Sequence, residues 1–408
     1  MSFFTLIKAE VTIDISKIIF SREEIIMDIN ELLFSIKQVA PQFASTYCIV
    51  NNAIMSLNEI QNMGCNEFSV RSKFNMPLKL YKYFPNIIKK ENDNEINFSI
   101  QALKNNTVFM QTPSEFDDVY DSDINIDYYE YQKFRLLEYC RRCQIETKDT
   151  FSTQEIGDML IQFLVSTINS TGNFNTAFAR KPESELEELS NELFFLKLRI
   201  ELNNKNDIGR ALGNVIRKDY EEYILKLKNT FRTSCFATTP YSQLMWGGAY
   251  ADCHRGFCIE YTVLPNNDNY QNIYQNLFPM IYCKIRSDMT ERLSKLQDSE
   301  ITAEGLWDIY SHGALRKSID WAFQNEWRLL LPIQSKNISD YNVKFFPITK
   351  VFLGNRMDSL KRHEIIEICK SRNIPYIGVT RNPNVFEMQD CEIKCEDCFR
   401  YSVNKPNS

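Results

Sequence analysis

The chain has 408 residues, a formal net charge of −6 and a composition that is 44% hydrophobic and 13% aromatic. This length exceeds what one simple core needs and allows two or three domains. The apolar content excludes global disorder. The negative charge argues against a general nucleic-acid scaffold, which needs a basic surface, but it leaves room for a local basic groove.

The sequence predicts neither a membrane span nor a signal peptide. It contains no run of about 18 apolar residues, the length that a transmembrane helix needs. The first residues, MSFFTLIKAEV, lack a basic start and a small-residue cleavage site. We therefore expect a cytoplasmic protein without a membrane partner.

The twelve cysteines are scattered, and two pairs have CxxC spacing: Cys140/Cys143 and Cys395/Cys398, with Cys391 just before the second pair. Two such pairs bind zinc if they meet in space. Nothing in the sequence forces that meeting, and two arginines lie between the first two cysteines. We expect dispersed free thiols and no bound metal.

Residues 1–76 are predicted to form an N-terminal helical appendage. Ser21 and Glu24 have the spacing of a capping box at the start of a helix over residues 22–38, and Pro41 ends it. We interpret this segment as a lid, an oligomerisation arm or a surface for a partner.

The first part of an α+β core is predicted over residues 77–126. LKLYKYF (78–84) alternates as a strand does, a short helix follows, and TVFMQ (107–111) is a second strand. The acidic loop after it contains Asp118 and Asp121, for which we expect a solvated turn.

Residues 127–230 are predicted to be an inserted helical subdomain. Apolar residues repeat with heptad-like spacing from Leu186 to Ile200, and a further helix is expected over residues 208–228. An apolar stripe of this kind is normally core, so we assign the subdomain no chemistry. It offers a second surface for oligomerisation or for a partner.

The second part of the core is predicted over residues 231–390, followed by a polar tail, 391–408. Helices and strands alternate in it, which is typical of an α/β pattern. We expect strands over 277–285, 350–354 and 374–379, a helix end that runs into a strand over 321–333, and helices over 301–318 and 357–371.

One stretch, residues 234–261, combines an apolar run, a helix-like segment and a strand, FCIEY (257–261). Trp246, Tyr250 and His254 follow one another at intervals of four, so a helix places them on one face. We expect them to line one wall of a pocket.

Several catalytic templates are missing from the sequence. It has three histidines, too few for a multi-histidine metal centre. GxSxG, Walker, GxGxxG and HExxH motifs are absent. The common hydrolase, NTPase and dehydrogenase templates therefore fit poorly.

Five blocks occur in a characteristic order. They are Lys82-Tyr83, Phe116-Asp117-Asp118-Val119, LMWGGAYADCHRGFCIEY (244–261), Trp321 to Arg328, and Phe352-Leu353-Gly354. Together they resemble the bacterial family known as domain of unknown function 2971. The chain departs from the family pattern at Gln324, where the pattern has an acid, and by one extra residue between Trp246 and Tyr250.

The block order is also similar, more faintly, to that of ADP-ribosyltransferases. That resemblance implies a mixed, split β-sheet with a basic residue on an early strand, here Lys82. It places Thr238-Thr239 near a Ser-Thr motif and matches Gln324-x-Glu326 to the Gln-x-Glu form of a later strand. Lysine replaces the usual arginine or histidine, and it lacks the planar fork of arginine.

The resemblance implies NAD as substrate and Glu326 and Lys82 as catalytic residues. Cleavage of the nicotinamide–ribose bond develops positive charge on the ribose, which a carboxylate stabilises. The residues expected around the cofactor are Thr238, Thr239, Trp246, Tyr250, His254, Arg255, Gln324 and Arg328. The implied function is an NAD-using transferase or glycohydrolase, a toxin or phage-defence effector, with a protein or nucleic acid as acceptor.

Two other functions stay open at this point. The first is a nuclease built on Asp118, Glu260, His254 and Arg255, which would hold a divalent metal with clustered carboxylates. The second is a noncatalytic sensor or binding protein, in which salt bridges occupy Glu326.

Overall fold

The computed structural model describes residues 47–87, 89–91, 94–116, 118–171, 205–294, 302–333 and 341–391. Several predictions fall outside these residues, namely the helix over 22–38, the heptad-like stretch 186–200, Asp117 and the Cys395/Cys398 pair. Within the described residues the chain is α+β with several sheets, as the sequence predicted.

The strands are β1 (Tyr47–Val50), β2 (Ala53–Ser56), β3 (Lys79–Phe84), β4 (Lys89–Glu91), β5 (Asn94–Ile96), β6 (Thr107–Phe109), β7 (Phe231–Phe236), β8 (Phe257–Thr262), β9 (Leu277–Pro279), β10 (Ile281–Cys283), β11 (Arg316–Ser318), β12 (Trp327–Pro332), β13 (Asn342–Lys344), β14 (Ile348–Leu353), β15 (Tyr376–Arg381) and β16 (Met388–Asp390).

The helices are α1 (Leu57–Asn62), α2 (Cys65–Phe74), α3 (Phe98–Asn105), α4 (Tyr128–Arg142), α5 (Thr153–Thr171), α6 (Lys205–Lys228), α7 (Gln243–Gly247), α8 (Gln271–Gln275), α9 (Thr290–Ser294), α10 (Ala303–Ile309) and α11 (Ser359–Ser371). Short 3₁₀ turns include Ala249–Ala251 and Ile319–Gln324, and Tyr310–Ala314 forms a π-helical turn.

Two sheets join into one curled surface. The five-stranded sheet has the order β16-β15-β14-β8-β3, and the three-stranded sheet has the order β7-β12-β9. Tyr81 on β3 and Ala237 after β7 exchange backbone hydrogen bonds of 2.9 and 2.7 Å and connect the two. The strands predicted at 78–84, 107–111, 350–354 and 374–379 are confirmed by β3, β6, β14 and β15, and the strand predicted at the end of 321–333 is confirmed by β12.

A four-stranded sheet, β11-β10-β1-β2, contains the described part of the predicted appendage. β1 lies between β2 and β10, with Ile49 opposite Tyr282. Residues 47–56 are thus integrated in a sheet with residues 281–283 and are not an appendage. A local pattern of hydrophobicity does not show such a pairing, because the partner strands lie more than two hundred residues apart.

The helices predicted between residues 127 and 230 are observed where the structure describes this segment. α4, α5 and α6 are helices, and Leu136, Ile156 and Leu212 are buried in one core with residues of β1 and β10. A second core packs against the curled sheet and contains Phe257, Trp327 and Leu353, among others.

Two predicted elements are divided in the structure. The strand expected over 277–285 is split into β9 and β10, because β9 pairs with β12 while β10 pairs with β1 and β11 in another sheet. The helix expected over 301–318 ends with the π-helical turn, and its last residues form β11.

The helical face predicted for Trp246, Tyr250 and His254 is wrong. α7 ends at Gly247, and residues 252–254 have positive φ angles of 47°, 50° and 68°. Paired glycines at 247 and 248 disfavour a continuing helix. The left-handed turn nevertheless returns His254 to Trp246, and their rings lie 6.4 Å apart with an interplanar angle of 9°.

This turn requires a glycine at position 256. A Cβ atom on Gly256 would lie 2.0 Å from the carbonyl oxygen of Phe84. Backbone atoms cannot move away as a flexible side chain can. The close approach holds the left-handed turn against the end of β3.

Gly256→Ala is therefore expected to destabilise the fold by about 1–3 kcal/mol or more. The free energy of unfolding, measured by urea denaturation, tests this expectation. Gly213→Ala is the matched control, since a Cβ at that position of α6 meets nothing within 4 Å. There alanine should add about 0.5–1 kcal/mol of stability; equal effects at the two positions would contradict the close approach.

Candidate functional site

Four charged side chains meet where the curled sheet contacts the four-stranded sheet. We name them the buried charge cluster: Asp121, Lys317, Glu326 and Arg328. Each is at least nine-tenths buried. The cluster contains two cations and two anions, so it is formally neutral.

Arg328 is the centre of the cluster and is fully buried. Its two terminal nitrogens donate to the two carboxylate oxygens of Asp121, each at 2.7 Å, and Nη1 also donates to the Ala314 carbonyl at 2.7 Å. Nε donates to Glu326 Oε1. Alternation along β12 aims Arg328 away from the second core, into which Trp327 and Leu329 point.

Lys317 links the cluster to the surface. Its Nζ donates to Glu326 Oε2 at 3.1 Å and to Gln324 Oε1 at 2.9 Å. Gln324 Nε2 in turn donates to the Tyr250 hydroxyl at 2.9 Å. Tyr250 is 41% exposed, so a continuous hydrogen-bonded path leads from solvent to the Glu326 carboxylate.

The charges in the cluster keep one another ionised. Burial alone would raise the pKa of Glu326, but Arg328 and Lys317 outweigh it and hold that pKa below its usual range. The same two cations hold the pKa of Asp121 below its usual range, again against burial. For Lys317, burial would lower the pKa, and Glu326 and Asp121 raise it instead. All four groups are therefore charged at neutral pH.

Lys82 lies beside the cluster but does not enter it. Its Nζ donates to the Cys235 carbonyl at 3.1 Å and lies 5.2 Å from the centre of the Phe236 ring. Burial lowers the pKa of Lys82, while Glu326 is near enough to raise it by electrostatic attraction. The structure thus brings the two predicted catalytic residues into one region.

Thr238 and Thr239 lie at the edge of the same region. Thr238 Oγ1 accepts a hydrogen bond from Asn325 Nδ2 at 2.7 Å, next to Gln324 and Glu326 in the chain. Thr239 accepts from Tyr83 OH through its carbonyl at 2.9 Å. Of the predicted cofactor-binding residues, Tyr250 and Gln324 form the path to Glu326, Arg328 contacts Glu326 directly, and Thr238 contacts the neighbouring Asn325.

Three other predicted residues lie elsewhere. Trp246 is fully buried and donates Nε1–H to the Pro240 carbonyl at 2.7 Å, so it is a core residue and not an exposed wall. Arg255 is exposed and pairs with Asp252 at 2.8 Å. His254 stacks on Trp246, and burial lowers its pKa.

The sequence interpretation missed two members of the cluster. Asp121 was expected in a solvated turn, which is wrong, because its side chain is 7% exposed and pairs with Arg328. Asp118, three residues earlier, does make the expected turn by accepting from Tyr120 N–H at 2.9 Å. No local sequence pattern predicts that Lys317 belongs to the cluster, since the pairing of β11 with β10 sets its position.

The residues of the nuclease alternative are dispersed among other partners. Glu260 accepts from Lys79 at 2.9 Å and from Tyr81 OH at 3.1 Å. Arg255 pairs instead with Asp252. Within the described ranges, no group of three or more His, Cys, Asp or Glu side chains could hold a metal ion. No helix in the same ranges is long and apolar enough to cross a membrane.

A family model described as protein of unknown function (DUF2971) matches residues 245–329. The chain resembles that family over this segment. The DUF2971 segment contains Lys317, Glu326 and Arg328 but not Asp121, and it confirms the resemblance that the sequence blocks indicated. No curated protein and no solved structure matches the chain. The similarity to ADP-ribosyltransferases stays a prediction.

Asp121→Asn is expected to destabilise the fold by about 3–5 kcal/mol at pH 7, because it leaves two buried cations with one anion. The folded-state pKa of Asp121 lies below the unfolded value of about 4, so its contribution is complete above that value and disappears as the pH falls. The difference between wild type and variant should therefore shrink at acid pH. Urea denaturation between pH 7 and pH 3 measures it.

Glu67→Gln provides the control for this comparison. Glu67 pairs with Arg71 at 2.7 Å, and both side chains are about half exposed. Removing this pair should change the free energy of unfolding by about 0.5 kcal/mol or less. A loss in Asp121→Asn no larger than this, or one independent of pH, would show that the buried cluster is not essential to the fold.

Proposed function

We propose that the chain is an NAD-using enzyme, a transferase or a glycohydrolase, whose reaction centre is the pair Gln324 and Glu326. The observation that carries the proposal is the hydrogen-bonded path from exposed Tyr250 through Gln324 and Lys317 to Glu326. Both side chains of the Gln-x-Glu pair are directed at one point, the Lys317 ammonium.

The carboxylate of Glu326 at that point can stabilise the positive charge that the reaction develops. As the nicotinamide–ribose bond breaks, neutral nicotinamide leaves and positive charge develops on the ribose. An ionised carboxylate in a water-poor site stabilises such charge far better than one in water. Glu326 is ionised and buried, and it already holds a cation at this position in the form of Lys317.

The surrounding residues supply contacts for the rest of the ligand. Tyr250, partly exposed, offers a ring face and a hydroxyl at the rim. Lys82 on β3 faces β7 and lies within electrostatic range of Glu326. Its ammonium supplies a donor for a ribose or phosphate oxygen. The ADP-ribosyltransferase-like split sheet and the role of a toxin or phage-defence effector belong to the same proposal and rest on the resemblance of the sequence.

A noncatalytic binding protein is the second candidate, and one observation favours it. Both oxygens of Glu326 are already engaged, one by Arg328 and one by Lys317. In that function the cluster only stabilises the contact between the two sheets, and Tyr250 marks a binding surface.

Nicotinamide release from NAD distinguishes the two candidates. We expect release by the wild type and about a hundredfold slower release by Glu326→Gln, the size of effect seen when one electrostatic contact to a transition state is lost. Tyr250→Phe keeps all charges and removes one exposed hydroxyl, so it should raise the KM several-fold and leave the fold intact.

Glu260→Gln is the matched control for Glu326→Gln. Glu260 is 4% exposed and Glu326 is 5% exposed, so each substitution neutralises an equally buried carboxylate, but Glu260 lies on β8 with Lys79 and Tyr81 as partners. Release should stay close to that of the wild type. Absence of NAD turnover by the wild type, together with absence of NAD binding in calorimetry, would exclude the proposed reaction.

A further inference from the structure

A second buried cation lies one residue before Lys317. Successive side chains of a strand point to opposite faces, so β11 directs Arg316 and Lys317 to opposite sides of the four-stranded sheet. Both residues are buried, with exposures of 6% and 9%. Lys317 meets two carboxylates, whereas Arg316 forms no ion pair with any carboxylate in the described part of the chain.

The contacts of Arg316 are with uncharged groups. Nε donates to the Ser311 carbonyl at 3.0 Å, and Nη2 lies 3.4 Å from His312 Nδ1. Nη1 is buried and has no hydrogen-bond partner among the described residues. An unpaired buried charge costs several kcal/mol, so a guanidinium in this position needs an anion.

The protonation of His312 is fixed by its neighbours. Arg292 Nη1 lies 2.8 Å from His312 Nε2, and because arginine can only donate, Nε2 is the acceptor. Burial, with the nearby Arg316 and Arg292, lowers the pKa of His312 to about 3, so the ring is neutral. Its single hydrogen is therefore on Nδ1, which donates to Ser287 Oγ at 2.8 Å.

Two consequences follow from this polarity. First, an Nδ1 that carries hydrogen cannot accept from Arg316, so the guanidinium is left with the weakly accepting Cys283 thiol and with an Nη1 that has no hydrogen-bond partner among the described groups. Second, Ser287 Oγ accepts from His312 and from Gln61 Nε2 at 3.3 Å, which leaves its own hydrogen for another acceptor. The direction of this hydrogen bond is the reverse of that in a serine activated by a histidine base, so Ser287 and His312 are not a nucleophile and its base.

We propose that Arg316 and Ser287 bind an oxyanion of the phosphate class, either free phosphate or a phosphoryl group of a larger ligand. The Nη1/Nη2 edge of a guanidinium matches two oxygens of such an anion, and hydroxyl donors commonly complete the site. Arg292, whose side chain is 49% exposed, contacts His312 and so connects this group of residues to solvent. The π-helical turn that carries His312 is a local geometry often found at functional sites. The proposal does not depend on the NAD-directed function.

Thermal unfolding in phosphate tests the site. Inorganic phosphate is titrated from 0 to about 10 mM at constant ionic strength against sodium chloride, a range in which general salt stabilisation is small. A specific site should raise the Tm of the wild type by about 1–3 °C in a saturable manner. A second titration with AMP distinguishes the sources, because a larger shift at equal concentration indicates a phosphoryl group on a larger ligand.

Arg316→Gln should abolish the phosphate-dependent shift, and Ser287→Ala should reduce it. Arg362→Gln is the matched control, since Arg362 is 7% exposed and donates to the Gly354 carbonyl on another face, so this variant should keep the shift. If Arg316→Gln fails to fold, calorimetry of phosphate binding to the wild type and to Ser287→Ala decides. A shift that chloride reproduces, one that persists in Ser287→Ala and Arg316→Gln, or no shift at all would overturn the proposal.

Discussion

The fully buried guanidinium of Arg328 is the constraint on which this structure depends. A charge without access to water requires anionic partners and a hydrogen bond for each N–H, and Arg328 finds them in three segments of the chain. Asp121 and Ser122 come from the loop after β6, Ala314 from the end of the π-helical turn, and Glu326 from the start of β12. Breaking one of these contacts leaves a charge without compensation, so the three segments are fixed relative to one another.

Arg328 also lies where the two large hydrophobic cores meet. Trp327 and Leu329 on either side of it are part of one core, whereas Leu330 belongs to the other. Apolar residues alone do not specify how two cores are oriented, because hydrophobic attraction is non-directional. Hydrogen bonds to a planar guanidinium are directional, and they set the angle at which the curled sheet and the four-stranded sheet meet. Hydrophobic replacements of buried ion pairs are often neutral or stabilising. A gain in stability therefore explains this cluster less well than its directional contacts and its chemistry do.

The sequence predicted those parts of the fold that depend on local pattern. Alternation identified β3, and the succession of strands and helices after residue 231 identified β14 and α11, because neighbouring side chains decide these elements. It failed where a distant partner decides. The apolar run 277–285 is divided at Met280 because β9 pairs with β12 and β10 pairs with β1 and β11, and no local pattern in the sequence predicts these long-range pairings.

The candidate site shows the same division. Gln324 and Glu326 were predicted as site residues because they match the Gln-x-Glu form of ADP-ribosyltransferases, and Tyr250 because it lies in the stretch that resembles the DUF2971 family. Asp121 was assigned to solvent because acidic residues in a turn-forming loop are usually exposed. Its burial results from the pairing with Arg328, which lies 207 positions away in the chain. Lys317 depends likewise on the parallel pairing of β11 with β10.

The position of Lys317 determines how Glu326 can act. Glu326 and Asp121 raise the pKa of Lys317, so at neutral pH the lysine does not leave Glu326 by losing its proton. A ligand reaches this carboxylate only by displacing the ammonium. In the reaction that we propose, the ribose becomes positively charged, so one cation replaces another and the cluster stays neutral. The displaced ammonium leaves Gln324 Oε1 and Glu326 Oε2 as adjacent acceptors, the arrangement that two neighbouring ribose hydroxyls require.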